Sequence, residues 1–253
     1  MKKIPFIKTI LYEDDDYFVV NKPAMLATLA DRQMSDHMLM RAKKYCPTAQ
    51  VCHRLDKGTS GVLAFAKHPA AYQHLTKQFQ DRTVEKHYHA IAEGIHTFKD
   101  HVVDLPITVQ SSHRSVIDRQ HGKRAITHFD TLQHFTQHTL LLCRPLTGKS
   151  HQIRLHAACQ KAPLAGDATY GGHLLYLSTL KKNYRFSKEK EERPLMARAA
   201  LHALKLRFQG MHDQPIIVEA PYPKDFKATV RQLSVLSDFI QPHTETVVKG
   251  SHT

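Results

Sequence analysis

The sequence predicts an α+β fold: a mixed, mostly antiparallel β-sheet flanked by helices and loops. Segments patterned as strands outnumber those patterned as helices, and the two do not alternate regularly. No repeat, low-complexity block or Gly/Ser-rich linker divides the 253 residues. A doubly wound parallel sheet would need a helix between successive strands, which is absent here. One continuous unit of this length can bury a sizeable core.

The elements follow in chain order. Tyr17 to Asn21 reads as a strand, ended by Lys22-Pro23. Val62 to Ala66 is an unbroken apolar run, the pattern of a short buried strand. Pro69 opens a helix, where proline is tolerated, and Tyr72, Leu75 and Phe79 follow at helical spacing. From Val84 to Ala92 a strand places Val84, Lys86, Tyr88, Ala90 and Ala92 on one face, and Gly94 ends it. Thr139 to Cys143 is another apolar strand, and Gln152 to Gln160 a short helix. Leu204, Leu206 and Phe208 alternate with Lys205 and Arg207, a strand with one wet face; Ile216 to Val218 is a further strand. Phe226, Val230, Leu233 and Ile240 mark a C-terminal amphipathic helix with Asp225 as its N-cap. The expected layout is an N-terminal segment (1–9), one globular unit (10–240) and a polar tail (241–253).

Composition narrows the function. Apolar residues make up 42% and charged residues 23%, as in ordinary globular proteins. The longest apolar runs reach about five residues, against ~20 for a membrane helix, so no membrane association is expected. Met1-Lys2-Lys3-Ile4-Pro5 lacks the apolar stretch of a secretory leader, which predicts a cytoplasmic protein. Cys46, Cys52, Cys143 and Cys159 form no C-x-x-C pair and read as reduced core thiols. Lys and Arg total 36 against 23 Asp and Glu, a formal charge of +13 that favours nucleic acid as a partner.

Several common sites are excluded. Gly148-Lys149-Ser150 looks like the end of a phosphate loop, but the first glycine that loop requires is replaced by Cys143. This argues against a nucleotide hydrolase. His134 and His138 stand four apart without the glutamate of a metalloprotease helix, and read as part of a solvated loop. No metal or cofactor is expected. What remains is His53-Arg54-Leu55-Asp56-Lys57-Gly58-Thr59-Ser60-Gly61, an aspartate between two cations ahead of a tight turn. The cations favour an ionised carboxylate. On these nine residues alone, a surface turn with a local salt bridge is the simpler reading.

Two further stretches change that balance. One is Lys86-His87-Tyr88-His89-Ala90. The other is Thr147 to His156, containing His151-Gln152-Ile153-Arg154-Leu155-His156, followed by Pro163-Leu164-Ala165-Gly166-Asp167 and Tyr170-Gly171. Together these resemble the RluA family of RNA pseudouridine synthases, whose pattern runs H-R-L-D-x-x-T-S-G, Y-x-A, H-Q-I-R-x-H and P-L-x-G-D-x-x-Y-G. Ile10 to Asp14 with Asn21-Lys22-Pro23 is similar to the family's start, and Leu201-His202-Ala203 with Ala220-Pro221 to its end. The resemblance spans roughly residues 10 to 240, expected to be the catalytic domain. It departs from the wider family in lacking room for a small N-terminal RNA-binding module of the S4 type. It departs again in a charged segment, Leu177 to Arg193.

The resemblance implies the isomerisation of uridine within ribosomal or transfer RNA to pseudouridine, with no cofactor and no obligatory protein partner. It implies Asp56 as nucleophile, with attack on the sugar, attack on the base and removal of a sugar proton all open. Arg154 would orient Asp56 through a bidentate bond, and Tyr88 would stack on uracil and assist loss of the C5 proton. Arg54 would contact RNA beside the everted nucleotide, with His53 nearby. Lys22 would face RNA at its strand end, and Ile153 and Leu155 would wall the uracil pocket. Thr59 and Ser60 would fix the loop through side-chain to backbone bonds. In Lys181 to Arg193, Tyr184 and Phe186 among basic residues suit looped RNA, although Glu189, Glu191 and Glu192 weaken that reading. A monomer is expected. The alternative is a basic RNA-binding protein of the same fold that has lost the reaction.

Overall fold

A computed structural model describes residues 4–30, 36–111, 114–181, 184 and 191–238. In chain order the elements are β1 (Ile10–Glu13), β2 (Tyr17–Lys22), α1 (Met38–Tyr45), β3 (Gln50–Val51), β4 (Ser60–Ala66), α2 (Pro69–Asp81) and β5 (Glu85–Glu93). Then come β6 (His101–Asp104), β7 (Ile107–Val109), β8 (Ser115–Ile117), β9 (Ile126–His134), β10 (His138–Pro145), α3 (Gln152–Cys159) and α4 (Leu177–Leu180). The last are β11 (Leu201–Gln209), β12 (Pro215–Glu219) and α5 (Lys224–Asp238). The main sheet runs β1-β2-β4-β11-β5-β10-β9-β6, with β12 added to β11 and β3 to β4. Every pairing within it is antiparallel except β4 with β11. The α+β class and the mostly antiparallel sheet are as the sequence predicts.

The centre of the sheet is covered on both faces, which explains the unbroken apolar runs of β2 and β4. Tyr17, Val19, Val62 and Ala64 pack on one side with Ala71 and Leu75 of α2. Phe18, Val20, Leu63 and Phe65 pack on the other with Met38 and Ala42 of α1. Farther along, Ala90, Leu141 and Cys143 meet Ile153 and Ala157 of α3, while Ile91 and Leu140 join the cluster holding Phe226 and Leu233 of α5.

The parallel contact is short. His202 pairs with Ser60 and Ala203 with Gly61, and there β4 and β11 part. Gly61 permits the approach: its φ is +118°, and a Cβ there would lie 2.0 Å from the Ala203 carbonyl oxygen. Beyond this point β3 takes the freed edge of β4, at Phe65 and Ala66. The loop from β3 back to β4 therefore lies in a fork of the sheet, and it carries Asp56.

Some local expectations change. Asp225 lies inside the first turn of α5, and its carboxylate binds Arg198, so it is not the N-cap. Ile240 and the tail from 241 lie outside the described residues. The ladder shifts register between Ala203 and Lys205, so Leu204 drops out of the alternation. His134 ends β9 and His138 begins β10, and His138 is buried, not solvated. No group of three or more potential metal ligands occurs among the described residues. All four cysteines are free, but Cys159, at the end of α3, is exposed instead of core. No helix among the described residues is long and apolar enough to cross a membrane.

Candidate active site

A cavity of about 710 Å³ opens at the fork. Its walls are the loop before β4, the last turn of α2, Lys86 and Tyr88 of β5, the loop before α3, and Ile153 and Arg154 of α3 itself. Asp56 is the one carboxylate on these walls among the described residues, facing Arg54, Lys57, Arg82, Lys86, Lys149 and Arg154. Six cations around one acid attract a polyanion while leaving a single negatively charged reactive group.

The loop is held from several directions. The Thr59 amide donates to the Asp56 carbonyl at 3.0 Å, closing a turn directly behind the carboxylate. Thr28 Oγ1 donates to the Leu55 carbonyl at 2.8 Å and accepts from the Leu55 amide at 3.1 Å. His53 Nε2 accepts from the Ala64 amide at 3.1 Å, and its ring packs on Phe79. Burial, then the Lys86 charge, pushes the His53 pKa down to about 3. His53 is therefore neutral, with its proton on Nδ1, and it anchors the loop while lining the cavity. Ser60 Oγ binds the His202 ring at 2.9 Å, a side-chain pair instead of the expected bond to backbone. Thr59 is buried on the wall and contributes its amide.

Lys22 corrects another expectation. It is fully buried beneath the loop and cannot face RNA. Its Nζ donates to the carbonyls of Leu26 (2.7 Å), Pro23 (3.0 Å) and Lys57 (3.3 Å). The Lys-Pro turn folds the side chain back under its own strand, where only backbone oxygens are available to it. Burial, reinforced by Arg198 and opposed by Asp56, pushes its pKa from 10.5 down to about 7. Above pH ~7 the folded protein holds fewer protons here than the unfolded chain. Stability should therefore rise with pH until the unfolded lysine titrates, by at most ~1.36 kcal/mol per pH unit. Lys22→Met is expected to flatten this rise. Urea midpoints of both proteins at about pH 6.5 and pH 9 measure it, and parallel behaviour of the two would remove the role of this titration.

Arg154 is brought to Asp56, but not as expected. Its Nε and Nη2 form a fork with Asp167, at 2.7 and 2.6 Å. Only Nη1 is left for Asp56, at 3.7 Å. The Asp167 side chain is 1% exposed and that of Asp56 31%. A buried carboxylate has more need of a bidentate partner than a half-solvated one. Burial opposes the Arg154 charge, and the bonds and charge of Asp167 outweigh it, so its pKa is raised. The guanidinium also lies over the Tyr170 ring, 5.1 Å from its centroid. The Tyr170 hydroxyl bonds His151 Nδ1 and both backbone groups of Ser115. Gln152 ties the loop to β9: its Oε1 accepts from Thr147 Oγ1 and the Lys149 amide, and its Nε2 donates to the Ile126 carbonyl and Thr127 Oγ1.

Tyr88 lies half-buried on the wall, and burial followed by the Asp56 charge pushes its hydroxyl pKa upward. Ile153 lines the cavity, whereas Leu155 packs away from it with Ile107, Ala125 and Tyr170. Two positions on a helix differ by about 200°, so the pair could not share one wall. Arg54 is exposed at the cavity edge. In the charged segment, residues 182, 183 and 185–190 lie outside the described residues, Phe186 and Glu189 among them. Glu192 accepts from the Ser178 amide at the start of α4. Two residues escaped the sequence reading. Asp167 belongs to the Pro163 to Asp167 motif but had no role assigned to it, and Arg198 was not singled out at all. Each is a single charge among mostly apolar neighbours, which is the signal both carried.

A family model described as RNA pseudouridylate synthase matches residues 16–159, more than half the chain. The chain belongs to this family. Ribosomal large subunit pseudouridine synthase D of Nitrosomonas europaea is 37% identical over 233 residues, covering 88% of this chain and 64% of that protein. The chain thus spans less than two thirds of that relative's length. An uncharacterized RNA pseudouridine synthase of Zymomonas mobilis is 32% identical over 227 residues, covering 87% of this chain and 95% of that one. Among solved structures, Human RNA Pseudouridylate Synthase Domain Containing 4 superposes with a TM-score of 0.71 at 25% identity, covering 90% of this chain and 94% of that one. The stretch matched to the pseudouridylate synthase model contains Asp56, Tyr88 and Arg154. Asp167 and Arg198 lie beyond it.

Proposed function

We propose that this chain isomerises uridine within structured RNA, ribosomal or transfer, to pseudouridine, as a cytoplasmic monomer without a cofactor. The observation that carries this is one carboxylate, Asp56, in a cationic cavity that also presents Tyr88 and Arg154. A cavity of about 710 Å³ lies within the ~300–1,000 Å³ range of small-molecule sites and suits one everted nucleotide. Arg54, Lys57 and Lys149 hold phosphates around it. The ribosomal large subunit in the name of the Nitrosomonas europaea relative makes ribosomal RNA the first target to test.

The reaction redistributes bonds without redox change. In the form of the reaction that begins at the sugar, an Asp56 carboxylate oxygen bonds C1′ as the C1′–N1 bond breaks, and the uracil leaves with the N1 electron pair. The uracil turns, and C5 bonds to C1′ as the carboxylate leaves. C5 then loses its proton and N1 gains one. Arg154 Nη1 keeps the carboxylate oriented while Asp167 holds the guanidinium. Tyr88 stacks on the base. With its pKa raised, its hydroxyl is a neutral phenol, so it takes the C5 proton only while passing its own onward.

Tyr88→Phe is therefore expected to keep RNA affinity and to lower the single-turnover rate by ~10²-fold. A wild-type rate would leave the ring with stacking alone. The primary test incubates the protein with large-subunit ribosomal RNA transcripts and with transfer RNA, then detects pseudouridine by mass spectrometry after derivatisation. Mapping pseudouridine site by site in cellular RNA with and without the protein identifies the target. No new pseudouridine on any RNA would reject the reading.

A further inference from the structure

We infer that Arg198 is a positioning residue for Asp56, a buried strut that carries the register of α5 to the loop. The inference rests on the reading of Asp56 as the reactive group. Arg198 precedes β11, and its side chain is 5% exposed. Its Nε and Nη2 form a fork with the Asp225 carboxylate, at 2.8 and 3.1 Å. On the loop side, Nη1 donates to the Gly58 carbonyl at 2.9 Å and Nη2 reaches Ser60 Oγ at 3.4 Å. Nη1 also meets the carbonyls of Ala199 and Leu201, at 3.3 and 3.2 Å, which fix the guanidinium plane against the start of β11.

Gly58 is two residues from Asp56, inside the turn closed by the Thr59 amide on the Asp56 carbonyl. Lys22 binds the intervening carbonyl, that of Lys57, at 3.3 Å. Two buried basic side chains thus donate to consecutive carbonyls of the loop from below, and Arg198 is the one tied to α5. Ser60, the second loop contact, begins β4 and also binds His202 of β11 at 2.9 Å. The strut therefore bridges the loop and β11 on the N-terminal side of the two paired residues of β4 and β11, at the place where backbone pairing begins. The bonds to Gly58 and Ser60 need a planar fork with several donors in fixed directions, which a lysine ammonium does not supply. A loop fixed this way keeps the carboxylate in one geometry, and catalytic groups lose rate steeply with small misplacement.

The test compares wild-type, Arg198→Lys and Asp225→Asn. Arg198→Lys keeps a buried cation but loses the fork. Its single-turnover rate should fall at least tenfold, with RNA affinity within twofold of wild-type and the protein folded by circular dichroism. Asp225→Asn leaves both loop bonds and weakens the anchor, so a smaller loss, about threefold, is expected. Amide hydrogen exchange at Thr59 gives a readout independent of RNA. It should quicken about tenfold in Arg198→Lys, while the amides of β10, remote from the strut, stay unchanged. A folded Arg198→Lys protein with the wild-type rate and wild-type Thr59 exchange would overturn the inference. Uniformly faster exchange with no selective change at Thr59 would also overturn it, reducing Arg198 to general stability. If Arg198→Lys does not fold, Asp225→Asn decides: unchanged rate and Thr59 exchange would overturn the strut. Faster Thr59 exchange in Arg198→Lys, together with a wild-type protein that makes no pseudouridine, would reject the isomerase reading and leave the strut standing.

Discussion

Asp56→Asn is expected to lower pseudouridine formation by at least ~10³-fold while leaving the protein folded. The substitution keeps shape and removes the charge, so any role as nucleophile disappears. The stability cost is expected to be small, within ~1 kcal/mol, because the carboxylate is partly exposed and meets a single guanidinium nitrogen at 3.7 Å. Its backbone carbonyl, which closes the turn, is untouched. Single-turnover formation of pseudouridine, followed beside thermal unfolding, measures both quantities. Activity within tenfold of wild-type in a folded variant would remove Asp56 from the chemistry.

Arg154→Met should behave differently, losing stability as well as activity. The residue left behind is Asp167, whose side chain is 1% exposed and whose two oxygens both depend on the Arg154 fork. Removing one partner of a buried pair strands the other, at a cost of ~3–5 kcal/mol. The double variant Arg154→Met with Asp167→Leu separates the two roles. Replacing both partners with apolar groups should restore most of the stability, yet Nη1 is still missing beside Asp56. We expect a folded double variant with activity still lost. Recovery of activity with stability would show that Arg154 acts only through the fold, and urea unfolding beside turnover tells these apart.

The central elements were legible because each carries its own pattern. β4 is apolar at nearly every position, and β5 alternates. α2 begins at a proline and repeats its apolar residues at helical spacing. The short elements were not legible. β3 has two residues, and β7 and β8 have three each, too few for any period to register. α1 shows a similar limit: only Met38 and Ala42 of its eight residues are buried, and its cap is a histidine ring accepting from the Met40 amide.

At the site, the local motifs identified Asp56, Tyr88 and Arg154, because each sits in a run of residues whose types and order are specific. Partner choice was another matter. Arg154 has two carboxylates within reach, and sequence spacing does not say which of them is buried. The fold places Asp167 in the interior and Asp56 at the cavity, so the fork goes to the group that solvent cannot help. The same holds for Lys22, which a strand-end position suggests is wet and the structure shows is dry.

By itself the chain determined which chemistry is present: a basic surface, an aspartate in a turn, a tyrosine on a strand and an arginine on a helix. These depend on residue type and neighbouring residues, which are local properties. Only the tertiary structure decided who binds whom, because burial sets the strength of a charge pair and burial is a property of the whole sheet and its covering helices. Lys22 and Arg198 acquire their roles from lying beneath the loop that carries Asp56, and Asp167 from being buried against Arg154.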